Sequence, residues 1–377
     1  MTIVRSSEVE FGWFIPTTGD GRYLGVEPER PATQAYMTEV AVAAEEAGFE
    51  FALIPAGGDC LDAWVVGSWI GAQTTRLKPL VALRPGLISP VLAARMAATL
   101  DQVSGGRALI NVVTGHYAED LKASGDPLYA NHDERYNRTR EFMEIVRGVW
   151  QAGAGAFDYK GRHYEVEGGR CLPAPFRKPH PPVYFGGSSP AGKRAAAAIA
   201  DVYLMWTEPL EWIKEQITEM QQFVLEHEKE TGIRRQLQFG IRAQLVVRET
   251  EEEAWAAARS IISKVDPSLL NERAKRHAQT DATNQKRQME LWQQSQEDDY
   301  VIGPNLWSGL SAVRGGGAVA FVGTPEQVSD RLVEFADAGI SSFILSGYPH
   351  LEEARIAGKL LLPLVRKKLA GRIAVQL

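Results

Sequence analysis

The chain has 377 residues, 45% hydrophobic and 23% charged, with a formal net charge of -6. That balance excludes a disordered or fibrous protein and argues against a nucleic-acid or anionic-membrane partner. Two cysteines are too few for a disulfide scaffold and fit a reducing, cytoplasmic setting, while no stretch reaches the roughly 18 apolar residues of a membrane helix.

Short apolar runs alternate with helical patterns along the whole chain. Phe11–Pro16 predicts the first strand, followed by the Gly-rich loop Thr17–Gly25 and a helix from Thr33 to Ala47. Phe51–Pro55 and Leu80–Arg84 predict strands two and three, with helices over Leu61–Gln73 and from Pro90. Ala108–Thr114 is strand four, and Glu134–Trp150 has the apolar spacing of an amphipathic helix. Pro182–Phe185, Asp201–Trp206 and Phe239–Val247 follow as strands five to seven, each ahead of a helical pattern. Ser342–Ser346 is the last strand, before a helix that runs to about Leu369.

Near-continuous apolar strands alternating with helices mean a parallel sheet covered on both faces, and eight such units predict closure into a (β/α)8 TIM barrel. A doubly wound open sheet is the alternative, but it usually stops at fewer strands. The expectation is one barrel domain over 1–377 with a single irregular segment at about 250–322, which contains a polar helix near Asn271–Gln296 and the stretch Asn305–Gly317. Placed at the C-terminal face of the barrel, that insertion reads as a mobile flap whose Gly run and Arg314 carry a cation.

Active-site residues of a barrel stand at the C-terminal ends of its strands. Those ends are Pro16–Asp20, Ala56–Cys60, Arg84–Pro85, Thr114–His116, Gly186–Ser189, Trp206–Glu208, Arg242–Gln244 and Gly347–His350. They are rich in Arg, aromatic and hydroxyl groups and poor in carboxylates, which makes glycoside hydrolysis unattractive. The seven histidines form no H-x-x-H or H-E-x-x-H pair, so no metal is expected. No Gly-x-Gly-x-x-Gly follows a strand, so a Rossmann nicotinamide site has no support.

Cys60 is open to two readings, a nucleophile or a structural thiol whose ionisation Asp59 and Asp62 discourage. Arg242, Arg314 and Arg84 form a set of potential anion-binding groups, and an arginine inside a core strand is costly to bury without a partner. Trp206 and Tyr348 are candidates to wall the same cavity, or plain core aromatics. Asn111–Gly115, His132–Tyr136 and Gly186–Ser189 are suited to a phosphorylated cofactor, although each by itself also reads as an ordinary strand-to-helix turn.

The ordered motifs Phe14–Gly25, Leu53–Gly57 with Cys60, Ala82–Pro85, Asn111–Gly115, His132–Tyr136, Tyr184–Ser189, Trp206–Pro209, Gly240–Arg242, Pro304–Trp307, Val313–Gly316 and Ser346–Glu353 resemble the alkanesulfonate monooxygenases of the bacterial-luciferase-like superfamily over nearly the whole chain. The resemblance implies an FMNH2- and O2-dependent monooxygenase, supplied by a separate NAD(P)H-dependent flavin reductase, that converts an organosulfonate to an aldehyde and sulfite. It implies a homodimer or homotetramer. By position, Ala56, Asn111, Thr114, His132, Tyr136, Ser188 and Ser189 would hold the flavin. Arg242, Arg314, Tyr348, Cys60 and Trp206 match positions linked to substrate binding, flap closure and catalysis.

Two positions depart from that pattern: Thr18 stands where the family loop usually has a histidine, and Gln244 replaces the histidine of its strand-seven Arg-x-His. A hydroxyl and an amide there would suit a polyhydroxylated sulfonate such as a sulfosugar. His116 could supply a replacement imidazole. The alternatives are the same oxygen chemistry on a sulfone, a heterocycle or riboflavin, as in riboflavin lyases, or a catalytically silent flavin-binding protein.

Overall fold

All eight apolar runs form parallel barrel strands in the computed structural model, which describes residues 9–115, 118–266, 280, 282–311 and 313–376. In chain order the strands are β1 (Glu10–Phe14), β2 (Phe51–Ile54), β3 (Lys78–Leu83), β4 (Leu109–Val112), β5 (Phe157–Lys160), β6 (Glu165–Gly169), β7 (Val183–Phe185), β8 (Val202–Trp206), β9 (Gln238–Val247), β10 (Val301–Gly303), β11 (Leu306–Trp307), β12 (Ala320–Gly323) and β13 (Ile340–Ser346). The hydrogen-bonded order β9-β13-β1-β2-β3-β4-β7-β8 returns from β8 to β9, which closes the (β/α)8 barrel. β10, β11 and β12 extend the sheet from β9, and β5 and β6 make a separate hairpin.

The helices are α1 (Gln34–Ala47), α2 (Ala63–Gln73), α3 (Pro90–Val103), α4 (Ala118–Ala123), α5 (His132–Ala152), α6 (Pro190–Ile199), α7 (Leu210–Thr231), α8 (Glu251–Ile261), α9 (Thr283–Gln294), α10 (Pro325–Asp337), α11 (His350–Ile356) and α12 (Leu362–Gln376). Their starts follow local chemistry. Thr33, Asp62, Ser89 and Ser189 each accept a backbone N–H of the first turn, and Pro90 and Pro190 occupy positions where no N–H is needed. Thr250 with Glu253, and Thr324 with Gln327, form reciprocal capping boxes.

The chain divides into two compact units. The first comprises the described residues of Met1–Ala52, Leu204–Glu219 and Gln238–Leu377. Within it β13 lies parallel to β1 and β9, with Phe11 opposite Phe343 and their rings stacked at 5.3 Å. The segment expected as an irregular insertion packs its apolar residues against β9. Trp307, Leu310, Ala318, Ala320 and Val322 pack with Val246, Ala254, Ala258 and Ile261. Strand β12 pairs parallel with the second half of β9, Ala320 opposite Gln244 and Gly323 opposite Val247. Helix α9 falls inside the expected Asn271–Gln296 helix, whose residues 271–279 and 281 lie outside the described residues.

The second unit comprises Leu53–Tyr203 and Met220–Leu237. Strands β3, β4 and β7 run parallel, with Ala82 opposite Asn111 and Asn111 opposite Tyr184. Trp150 and Val149 of α5 are buried, and the Trp150 indole donates to the Ala94 carbonyl of α3. Among the described residues no helix is long and apolar enough to cross a membrane.

Candidate active site

The first unit assembles an arginine pair on one aromatic ring. Arg242 lies in the buried stretch of β9 and is only 6% exposed. Its guanidinium carbon lies 4.9 Å from the ring centroid of Phe14, the last residue of β1, and that of Arg314 lies 5.7 Å from the same ring. Arg242 donates through Nη1 to the Ala243 and Ile344 carbonyls and through Nη2 to the Ser346 hydroxyl, 2.6 Å away. Arg314 donates through Nε to the Tyr348 hydroxyl (2.7 Å) and through Nη1 to the Gly315 and Gly317 carbonyls. No carboxylate contacts either guanidinium among the described residues. Burial, and then the nearby charge of Arg314, push the Arg242 pKa well below its ordinary value.

Gln244 lies two residues on along the same strand face and is 1% exposed. Its Oε1 accepts the Ser346 hydroxyl proton at 2.7 Å, and its Nε2 donates to the Gly317 carbonyl at 2.9 Å. Both polar ends of the amide are thus engaged within the protein. Four expected residues, Arg242, Gln244, Arg314 and Tyr348, therefore form one connected group. Trp206, at the end of β8, is half-buried.

Behind Tyr348 stands a network missing from the sequence-based site. The Asp20 carboxylate accepts from the Tyr36 hydroxyl, from the His350 backbone N–H at 2.7 Å and faces His350 Nδ1 at 2.9 Å. Burial opposes the charge of Asp20, but the charge and hydrogen bonds of His350 and the Tyr36 hydroxyl outweigh it and hold its pKa below the ordinary carboxylate value. The His350 ring meets Tyr348 edge-on at 5.0 Å and Phe14 at 5.6 Å. A second buried carboxylate, Glu208, is gripped by Arg287 of α9 (Nη2 to Oε2, 2.5 Å) and by Gln216 (2.9 Å). Gln285 and Gln288 of α9 accept the N–H groups of Gly316 and Ala318, so this helix holds the strap that bears Arg314. Asp20, Glu208 and His350 were legible only as members of the strand-end segments.

The second unit gathers the hydroxyl and imidazole groups. Thr114, just beyond β4, is buried and hydrogen-bonds Thr139 of α5 at 3.2 Å. His132 opens α5, and its ring lies 5.0 Å from that of Tyr136, which meets Phe185 edge-on. Asn111 and Ala56 are half-buried at the ends of β4 and β2. Ser189 caps α6 by accepting the Gly192 N–H at 3.1 Å, and Ser188 is half-buried beside it. This turn is tight: a Cβ on Gly192 would lie 2.8 Å from the Gly187 carbonyl oxygen, and one on Gly187 would lie 3.1 Å from the Tyr136 ring. Gly187, Gly192 and the Tyr136 ring thus pack closely at the start of α6.

Other expected groups are placed differently. Arg84 pairs with Asp120 at 2.8 Å, so its charge is already matched. Cys60 is half-buried, two residues before the Asp62 cap of α2, with its N–H on the Gly57 carbonyl. His116 lies outside the described residues. Asp126 and Arg138 form a buried bidentate pair, and Arg138 also donates to the Pro85 carbonyl, which fixes the turn after β3 to α5. Among the described residues no three His, Cys, Asp or Glu side chains gather as a metal site.

Three solved structures share this architecture. The EDTA monooxygenase of Chelativorans sp. BNC1 is 18% identical with a TM-score of 0.76, over 96% of this chain and 94% of that one. A long-chain alkane monooxygenase is 20% identical with a TM-score of 0.76, over 98% and 92%. A riboflavin lyase, solved with modified FMN and riboflavin, is 22% identical with a TM-score of 0.75, over 96% and 92%. At these identities the likeness is one of fold. The sequence model of the luciferase-like monooxygenases matches residues 9–342, nearly the whole chain, so the protein belongs to that family and is an oxidoreductase of the flavin-dependent monooxygenase type.

Proposed function

We propose that the protein is a two-component monooxygenase that uses reduced FMN and O2 to cleave the C–S bond of an organosulfonate, either an alkanesulfonate or a sulfosugar. The observation that carries this reading is the pair Arg242 and Arg314 on the one Phe14 ring, with no carboxylate contact among the described residues. Two guanidiniums brought together repel each other, and an anion offering several oxygens relieves that repulsion by charge-assisted hydrogen bonds. A sulfonate stays ionised throughout the pH range of a folded protein and presents three such oxygens.

The residues of the second unit fit a flavin nucleotide. Gly187 and Gly192 approach each other so closely that a Cβ on Gly192 would stand 2.8 Å from the Gly187 oxygen, at the start of a ten-residue helix capped by Ser189. The Gly192 N–H is taken by Ser189 and Pro190 has none, so the groups proposed to meet a phosphate are the Ser188 hydroxyl and the Ala191 N–H. Thr114, Asn111, His132, Tyr136 and the Ala56 backbone are candidates to meet the rest of the nucleotide. When bound, reduced FMN supplies two electrons and activates O2.

The chain's own residues then bind and shield. Arg242 and Arg314 hold the sulfonate by its charged oxygens and so orient the substrate. Gly317 packs against Arg242, which is 6% exposed and so shielded from water. Tyr348, held by Arg314 Nε, is the hydroxyl available for proton exchange, the Cys60 thiol is a further candidate for it, and Trp206 is a candidate wall for the substrate. In the overall reaction the carbon bonded to sulfur gains one oxygen atom of O2 and becomes an aldehyde. Sulfite leaves with the C–S bonding pair, the second oxygen atom leaves as water, and one proton is released.

An NAD(P)H-dependent flavin reductase is the proposed source of reduced FMN. Val65 and Trp69, one turn apart on α2, and Leu61 just before its cap are 37–70% exposed apolar groups that support a homodimer or homotetramer. The test is sulfite release from a panel of alkanesulfonates and sulfosugars supplied with reduced FMN and air. A blank panel in protein that binds FMN overturns the sulfonate reading, and products from riboflavin under the same conditions would redirect it to lyase chemistry.

A further inference from the structure

Among the described residues, Gln244 is the side chain that hydrogen-bonds to an anchor of each arginine. Ser346 has a single hydroxyl proton, and it goes to Gln244 Oε1 (2.7 Å), so the Ser346 oxygen is left to accept from Arg242 Nη2 (2.6 Å). At its other end Gln244 Nε2 donates to the Gly317 carbonyl (2.9 Å), which also accepts from Arg314 Nη1 (3.1 Å). The Gln244 backbone N–H donates to the Val319 carbonyl at 2.9 Å, which fixes the same strap from the main chain. The strap lies close: a Cβ on Gly317 would stand 2.8 Å from Arg242 Cγ.

We infer that Gln244 is the positioning residue that sets the mutual placement of Arg242 and Arg314, acting through Ser346 and Gly317 rather than on the substrate. The inference rests on the reading of the arginine pair as an anion grip, and it follows from the direction of the two bonds. Position 244 needs an acceptor toward Ser346 and a donor toward Gly317, which a primary amide supplies at one residue. An apolar side chain supplies neither, and a carboxylate keeps the acceptor, loses the donor and sets a negative charge beside both guanidiniums.

The discriminating comparison uses the full-length chain with Gln244→Met and Gln244→Glu, titrated calorimetrically with methanesulfonate and separately with FMN. If Gln244 only fills space, Glu, its isostere, is the milder change. If its polarity sets the arginines, Gln244→Glu is the worse of the two. Methanesulfonate affinity then falls about tenfold or more in Gln244→Met and further in Gln244→Glu, with FMN affinity unchanged. In turnover the same variants raise KM more than they lower kcat. Hydrogen exchange of residues 313–319 gives a readout independent of any substrate, and the strap exchanges faster in Gln244→Met. Wild-type protein that binds no methanesulfonate, with a strap that still loosens, would defeat the sulfonate reading and leave Gln244 as the strap's anchor. Unchanged anion affinity and unchanged strap exchange in both folded variants would overturn the inference. Should Gln244→Met fail to fold, Ser346→Ala tests the Arg242 arm by the same titration, and no loss of affinity there also overturns it.

Discussion

Gly317 lies against Arg242 so closely that a single added methyl would stand 2.8 Å from Arg242 Cγ and 3.0 Å from the Arg242 carbonyl oxygen. One of those neighbours is backbone and cannot move aside cheaply. Gly317→Ala is therefore expected to push the strap away from Arg242 and raise the KM for a sulfonate by about tenfold, equivalent to about 1.4 kcal/mol. Steady-state sulfite release checks it, and FMN affinity measured by fluorescence quenching should stay at the wild-type value.

Lysine is a poor substitute at either arginine. Arg242 uses both terminal nitrogens, on carbonyls and on Ser346, while Arg314 reaches Tyr348 through Nε. A lysine keeps the charge and loses the fork. Arg242→Lys and Arg314→Lys should each cost about 1.5–3 kcal/mol of anion binding, roughly tenfold or more in KM. Combining them should cost less than the sum, because the two act on one anion. Strict additivity would indicate two separate ligands.

Gly192→Ala addresses the other unit. Its Cβ would meet the Gly187 oxygen and carbonyl carbon at 2.8 and 2.9 Å, both backbone atoms of the proposed phosphate turn. The expected outcome is FMN binding weakened by about tenfold or more with methanesulfonate binding unaffected. A variant that binds FMN normally would move the nucleotide away from this turn.

Asp20 contributes pH-dependent stability. Its folded pKa is below the ordinary value of 3.8, so its stabilising effect is fully present above about pH 4 and is lost as pH falls through the folded value. Asp20→Asn should lower stability by about 3 kcal/mol at pH 7, because it removes the negative charge beside His350 and replaces one of two acceptor oxygens, each facing donors, with an NH2. Thermal melts from pH 7 to pH 3 provide the check. Wild type should lose its advantage over Asp20→Asn at the acid end, and parallel curves would show that Asp20 carries no such linkage.

The barrel was legible because its strands are buried on both faces and read as unbroken apolar runs, as Val81, Ala82, Leu109 and Ile110 illustrate. Strands β5 and β6 were missed because only alternate residues of β5 are partly buried and both are short and polar. β10 to β12 were missed because runs of two to four residues carry no period, and because β12 takes its partner from β9 far upstream. The arginines stood out by type. Phe14 and Ser346 did not, since their residue types are ordinary for a core strand, and only the fold shows that one ring serves both guanidiniums. Asp20 and His350 are 330 positions apart, and no local pattern links them. Gln244 was visible as a departure from the family's histidine, but the engagement of both its amide ends is a property of three segments brought together.

The most direct measurement is the number of sulfite molecules released per O2 consumed, with reduced FMN supplied by a flavin reductase. For a sulfonate that fits the arginine pair the ratio should approach one, and it should collapse in Arg242→Ala while O2 consumption by free reduced FMN continues. O2 consumed with no sulfite from any sulfonate, by wild-type protein that binds both FMN and the reductase's product, would contradict the account.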